Sequence, residues 1–204
     1  MRKNRLYSLD MARTKEFDPQ KALAAAMNVF WRLGYENASL DALMTAMGIS
    51  KQSLYDTFGD KRSLYLKALA HYRDETQTAM RRLFSSLPKA KDAFAQLLFD
   101  LSAESREQHA RGCLLLSANM ERDTGDTVIA EFLRRNQATV ESIFTEALRR
   151  AQSNGELSRK QDPAALARFF VVTIQGMRAM ARLKSDRAAL EQVARIALAA
   201  FDSG

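Results

Sequence analysis

One stretch constrains the fold of this chain more than any other: Ser39–Lys61, which reads SLDALMTAMGISKQSLYDTFGDK. Ser39 is placed to cap a short helix on which Leu40, Leu43 and Met47 recur at helical spacing, and Gly48 supplies the residue that ends it. Ser50 then caps a second helix. On that helix Ile49, Leu54 and Phe58 can face a core, while Lys51, Gln52 and Tyr55 gather on the opposite side through i, i+3 and i, i+4 neighbours. Two capped helices joined by so short a turn form a helix-turn-helix. In proteins built this way the second helix is the one offered to the major groove of DNA.

The surrounding sequence supports that unit. Asp18 followed by Pro19 opens a helix, Leu23, Ala26, Met27 and Phe30 mark its apolar face, and Gly34 closes it. Three short helices are therefore predicted at about 19–33, 40–47 and 51–58. Asp60 caps a long helix that carries Leu64, Leu69, Tyr72, Met80, Leu83 and Phe84 and stops before Pro88. Lys61 sits in its first turn, unfavourably for the helix dipole unless a phosphate lies nearby.

Further helical segments are predicted at about 90–110, 113–121, 126–153, 163–184 and 187–202, separated by glycines and by Asp162-Pro163, with Asp186 as the last cap. Strand-like alternation is absent, so the expected fold is all-α with about nine helices. The expected division is a basic arm at 1–16, a helix-turn-helix domain at 17–62 and a larger helical domain at 63–204. The arm carries Arg2, Lys3, Arg5, Arg13 and Lys15, and it reads equally as a phosphate-tracking tail or a solvated terminus. Met11 offers a second plausible start.

Charge and composition narrow the function. The formal charge of +7 and pI of about 9.7 favour an anionic partner. A single cysteine excludes an intrachain disulfide framework and, without a signal peptide, points to the cytoplasm. The apolar run Phe169 to Ile174 is interrupted by Thr173 and is too short to cross a bilayer, so no membrane association is expected. Two histidines, no metal-ligand spacing, no phosphate-cradling glycine loop and no nucleophile elbow argue against an enzyme, and neither metal nor cofactor is expected.

From Phe17 to Tyr72 the chain resembles the tetracycline-repressor (TetR) family of bacterial transcription regulators. The resemblance rests on the apolar first helix, Gly34-Tyr35, Ser39, Met47-Gly48-Ile49-Ser50, and Leu54-Tyr55 followed by Phe58-Gly59-Asp60-Lys61. It implies that Ser39 holds a phosphate and that Lys51, Gln52 and Ser53 approach base edges, with Ser50 counted among the DNA-binding residues. It further implies backbone contacts from Tyr55, Thr57 and Lys61, which agrees with lysines and hydroxyls being common phosphate ligands and glutamine pairing with adenine. Asp56 and Thr57 stand where many relatives carry an aromatic residue and a histidine, so Asp56 is expected to point away from DNA.

For the rest of the chain the resemblance implies a helical sleeve around an apolar ligand pocket, with the last two helices, Ala164 to Lys184 and Ala188 to Phe201, pairing with a second subunit. Phe169, Val172, Gly176 and Ala179 form the expected dimer stripe. Candidate pocket residues are Phe94, Leu98, Cys113, Leu116, Ser117, Met120, Phe170, Ile174 and Met177, with Gln175 a further polar candidate. Cys113, in Arg111-Gly112-Cys113-Leu114, resembles a feature of an electrophile-responsive branch, although a buried core thiol fits the same position. The expectation is a cytoplasmic homodimeric repressor that binds a palindromic double-stranded operator and is released by a small hydrophobic or electrophilic effector. The alternative is a helical ligand- or protein-binding module without operator recognition.

Overall fold

Aspartate and serine caps set the starts of most helices. In the computed structural model, which describes residues 17–122, 125–184 and 186–202, ten helices follow one another. The basic arm expected at 1–16 lies outside the described residues.

Helix α1 (Pro19–Asn37) begins where the Asp18 carboxylate accepts from the Gln20 and Lys21 amides. Its regular part ends at Gly34, whose φ of 76° and ψ of 171° no helix contains. Helix α2 (Leu40–Met47) is capped by Ser39 and closed by Gly48 in the left-handed conformation, whose amide donates to the Met44 and Thr45 carbonyls. Helix α3 (Lys51–Phe58) starts at Ser50 and α4 (Lys61–Ser86) at Asp60.

Helix α5 (Ala90–Ala103) and helix α6 (Arg106–Arg111) occupy the region expected as a single segment at 90–110. The physical reason for the break is a capping box: the Ser105 hydroxyl accepts from the Gln108 amide and the Gln108 side chain accepts from the Ser105 amide. Helices α7 (Leu114–Glu121), α8 (Thr127–Ser153), α9 (Pro163–Leu183) and α10 (Arg187–Ala199) complete the chain. None of the helices is long and apolar enough to cross a membrane, among the described residues.

Two cores result. The first joins α1 to α4 around Phe30, Leu43, Leu54 and Leu64, and it continues into Leu114, Leu115 and Ala118 of α7 and Ile129 and Leu133 of α8. The second gathers Phe84, Phe94, Phe144, Phe170 and Phe201 from α4, α5, α8, α9 and the chain end. Phe94 is its centre, stacked 4.1 Å from Phe170 and edge-on 4.9 Å from Phe144. Each fully buried aromatic of this kind contributes about 1.5–3 kcal/mol. Helix α4 runs unbroken from one core to the other.

Candidate functional site

The outward face of α3 is built by the rule that buries its other side. Leu54 and Phe58 are buried against α1 and α4, so Lys51, Gln52 and Tyr55 project outward. Tyr55 is 44% exposed. Asp56 is also exposed, one turn along from Gln52, so the carboxylate expected to point away stands beside this face.

The hydroxyls here are already at work. Ser39 Oγ accepts from the Ala42 amide at 3.1 Å, and Ser50 Oγ accepts from the Ser53 amide at 3.1 Å while donating to Ser53 Oγ at 3.0 Å. Thr57 is half-buried. Lys61 Nζ lies 4.6 Å over the Tyr35 ring and donates to the Glu36 carbonyl at 3.2 Å, which offsets the cost of a cation in the first turn of α4. That leaves Lys51 and Gln52 as the side chains of α3 most open to a partner.

Sequence reasoning missed Lys67. Its ammonium donates to the Thr57 and Phe58 carbonyls at 3.3 and 3.0 Å, capping the negative end of α3 from the next helix. Arg62 was missed as well: its guanidinium reaches both Asp126 oxygens at 2.8 and 3.0 Å and ties the start of α4 to the start of α8. No local pattern marks either contact.

A cavity of about 380 Å³ opens where α4, α5, α7, α8 and α9 meet. Of the residues proposed from sequence, Cys113, Leu116 and Ile174 line it, together with Gln175. Phe94, Leu98, Phe170 and Met177 do not; they are sealed in the second core. Ser117 accepts from Arg182 at 3.0 Å away from the cavity, and Met120 is 75% exposed. Apolar helical spacing marks burial and cannot separate a core wall from a cavity wall.

At one end of the cavity the Tyr72 hydroxyl lies beside Cys113 and the start of α7. Burial, with Cys113 beside it, pushes the phenol well above its ordinary value, so it stays neutral and available as a hydrogen-bonding group. The same ring meets Trp31 of α1 edge-on at 4.8 Å, and Trp31 Nε1 donates to the Gly112 carbonyl at 3.0 Å. Arg111 lies 4.7 Å over the Trp31 ring. His109 is buried with Nε2 at 2.9 Å from the Leu101 carbonyl, a structural role separate from Cys113.

Helix α9 also presents Phe169, Val172, Gly176 and Ala179, all exposed. Met180 and Leu183 extend this apolar strip along α9, and Val193 and Ile196 of α10 are exposed as well.

Comparison with known proteins places both halves. Residues 22–68 match the model for bacterial regulatory proteins of the tetR family, and residues 92–197 match the tetracyclin repressor-like C-terminal domain. An uncharacterized HTH-type transcriptional regulator, YezE of Bacillus subtilis (strain 168), is 30% identical over 94% of this chain and 100% of its own length. The HTH-type transcriptional repressor ComR of Escherichia coli (strain K12) is 31% identical over 91% of this chain and 88% of its own. Among solved structures, a cysteine mutant of the TetR family transcriptional regulator CifR, complexed with 26-base-pair double-strand operator DNA, is 34% identical with a TM-score of 0.82, covering 93% of this chain and 99% of that one. Matching models on both halves and full-length relatives lead to one conclusion: the chain belongs to the tetR family of bacterial transcriptional regulators, which are not enzymes.

Proposed function

We propose that this protein is a cytoplasmic, homodimeric repressor that binds a two-fold symmetric operator and releases it when a small molecule fills the cavity. The observation that carries the reading is the division of α3, with Leu54 and Phe58 buried and Lys51, Gln52 and Tyr55 turned outward. Lysine and tyrosine suit phosphates, and glutamine suits the edge of adenine. Ser53 stands beside Gln52 toward the bases, Ser39, Thr57 and Lys61 supply further backbone contacts, and Ser39 and Ser50 hold their helices in register as caps. The exposed strip of α9 and α10 supplies the subunit contact, which sets two recognition helices about 34 Å apart, one turn of DNA. The solved complex of CifR with operator DNA and the description of ComR as a repressor support the same role.

Release follows from shared walls. Leu115 and Leu133 line the cavity and also belong to the core that seats α3 and α4. A ligand that packs better against one arrangement of these walls shifts the population toward it, by no more than its difference in affinity between the two. Selection of bound sequences from a random duplex library tests the reading. It predicts enrichment of a palindrome with half-sites about 10 base pairs apart; enrichment of no sequence overturns it.

A further inference from the structure

The cavity wall carries charge of one sign. Arg122, Arg134 and Arg178 line it, and among the described residues no aspartate or glutamate does. The three arginines differ in commitment. Arg134 is held by two hydrogen bonds at 2.8 Å to Glu131 and is 71% exposed, so it stands at the rim. Arg122 donates through Nε to Asn119 at 3.3 Å. Arg178 is deeper, 25% exposed, and meets Glu104 at 3.5 Å, an ion pair too long for a strong hydrogen bond. Its field reaches the Tyr72 hydroxyl. A neighbouring recess between α1, α4, α6 and α9 shares Tyr72, Thr76 and Arg178 with the cavity, so Arg178 stands where the two meet.

The lining also carries hydrocarbon from Leu97, Leu116, Val140, Val171 and Ile174, with Asn119, Asn136 and Gln137 as neutral polar groups. An apolar ligand would leave Arg178 desolvated by its arrival and without a new partner, which costs free energy. An anionic head would supply that partner through charge-assisted hydrogen bonds, with guanidinium geometry suited to two parallel bonds to a carboxylate.

We propose that the cavity takes an anionic amphiphile, its carboxylate or equivalent head at Arg178 beside Tyr72 and Gln175 and its hydrocarbon body against Leu116, Val140 and Ile174. This rests on the reading of the chain as a ligand-released regulator and names the class of ligand. Cys113, which lines the same cavity as Tyr72, then lies beside the head group.

The test uses the full chain and three probes of equal length: octanoate, octan-1-ol and octylamine. Binding is read by calorimetry and by the fluorescence of Trp31, the one tryptophan of the chain, which touches Tyr72 at the cavity end. Octanoate is expected to bind about tenfold or more tightly than either other probe, and Arg178→Gln to remove about tenfold of its affinity while leaving octan-1-ol within about twofold. The comparison among probes on the parent chain stands even where the variant folds poorly. Equal or tighter binding of octan-1-ol, no binding of any probe, or an equal loss of octanoate and octan-1-ol in a folded Arg178→Gln would overturn the proposal. Operator anisotropy in the same samples separates the two readings. If octan-1-ol alone releases DNA, the charge preference falls and the regulator stands. If octanoate is preferred but DNA stays bound, the ligand class holds and ligand-controlled release falls.

Discussion

At the scale of single residues, Gly34 decides how the first helix gives way to the second. Its φ of 76° with ψ of 171° belongs to a region open almost only to glycine, and a Cβ there would lie 2.7 Å from a Glu121 carboxylate oxygen. Gly34→Ala should cost about 1–3 kcal/mol in urea denaturation, and adding Glu121→Ala should recover only part of that loss because the backbone strain persists. Full recovery in the double variant would assign the whole effect to the carboxylate. Gly34 was legible in the sequence as a helix end, and so were the roles of Ser39, Ser50 and Gly48, because capping is a local property written within four residues. The wall of the cavity was legible only in part. Leu116 and Phe94 are both apolar residues at helical spacing, and only the packing of five helices decides that one faces a space and the other a ring.

Between elements, Asp126 has two duties. Its carboxylate caps α8 by accepting from the Ile129 amide at 3.0 Å and also holds Arg62 of α4. The two partners are 64 residues apart, so the pairing had no signature in the sequence, whereas the cap did not need one beyond Asp126 itself. The hydrogen bond from Ile129, with Arg62 beside it, holds the carboxyl below its ordinary 3.8, as hydrogen bonding from Ser63 does for Asp60. A folded-state value below the unfolded one means that these groups stabilise the fold above about pH 4 and that the contribution is lost as pH falls through the lowered values. Asp126→Ala should therefore cost about 1 kcal/mol near pH 7, and Asp126→Asn, which keeps a capping oxygen, should cost less. In thermal melts the parent should lose more Tm between about pH 6 and about pH 3 than Asp126→Asn does. An identical pH dependence in the two would remove Asp126 from the account. The division of α5 from α6 shows the converse case, a break written locally in Ser105 and Gln108 yet overshadowed by the helical character around it.

Over the whole molecule, α4 links a reading head to a second core, and the cavity lies against the walls that both share. On the proposed reading, the exposed apolar strip of α9 and α10 is where a second subunit pairs. Val172 is 66% exposed in the single chain, so Val172→Glu should leave the fold intact, yet it would place charge in the subunit contact. Light scattering should then report the 23.0 kDa chain mass in place of twice that value, with operator affinity falling alongside. A dimer that survives the substitution would move the contact elsewhere. The most direct measurement of the central claim is fluorescence-anisotropy binding to the duplex just upstream of the protein's own gene, against a scrambled duplex of equal length at near-physiological salt, with Tyr55→Ala and Gln52→Ala beside the parent. Preference for the upstream duplex is predicted, with losses of about fivefold or more in both variants and unchanged melting temperatures. Equal affinity of the parent for both duplexes, or variants that bind as the parent does, would contradict the assignment of α3 as the surface that reads DNA.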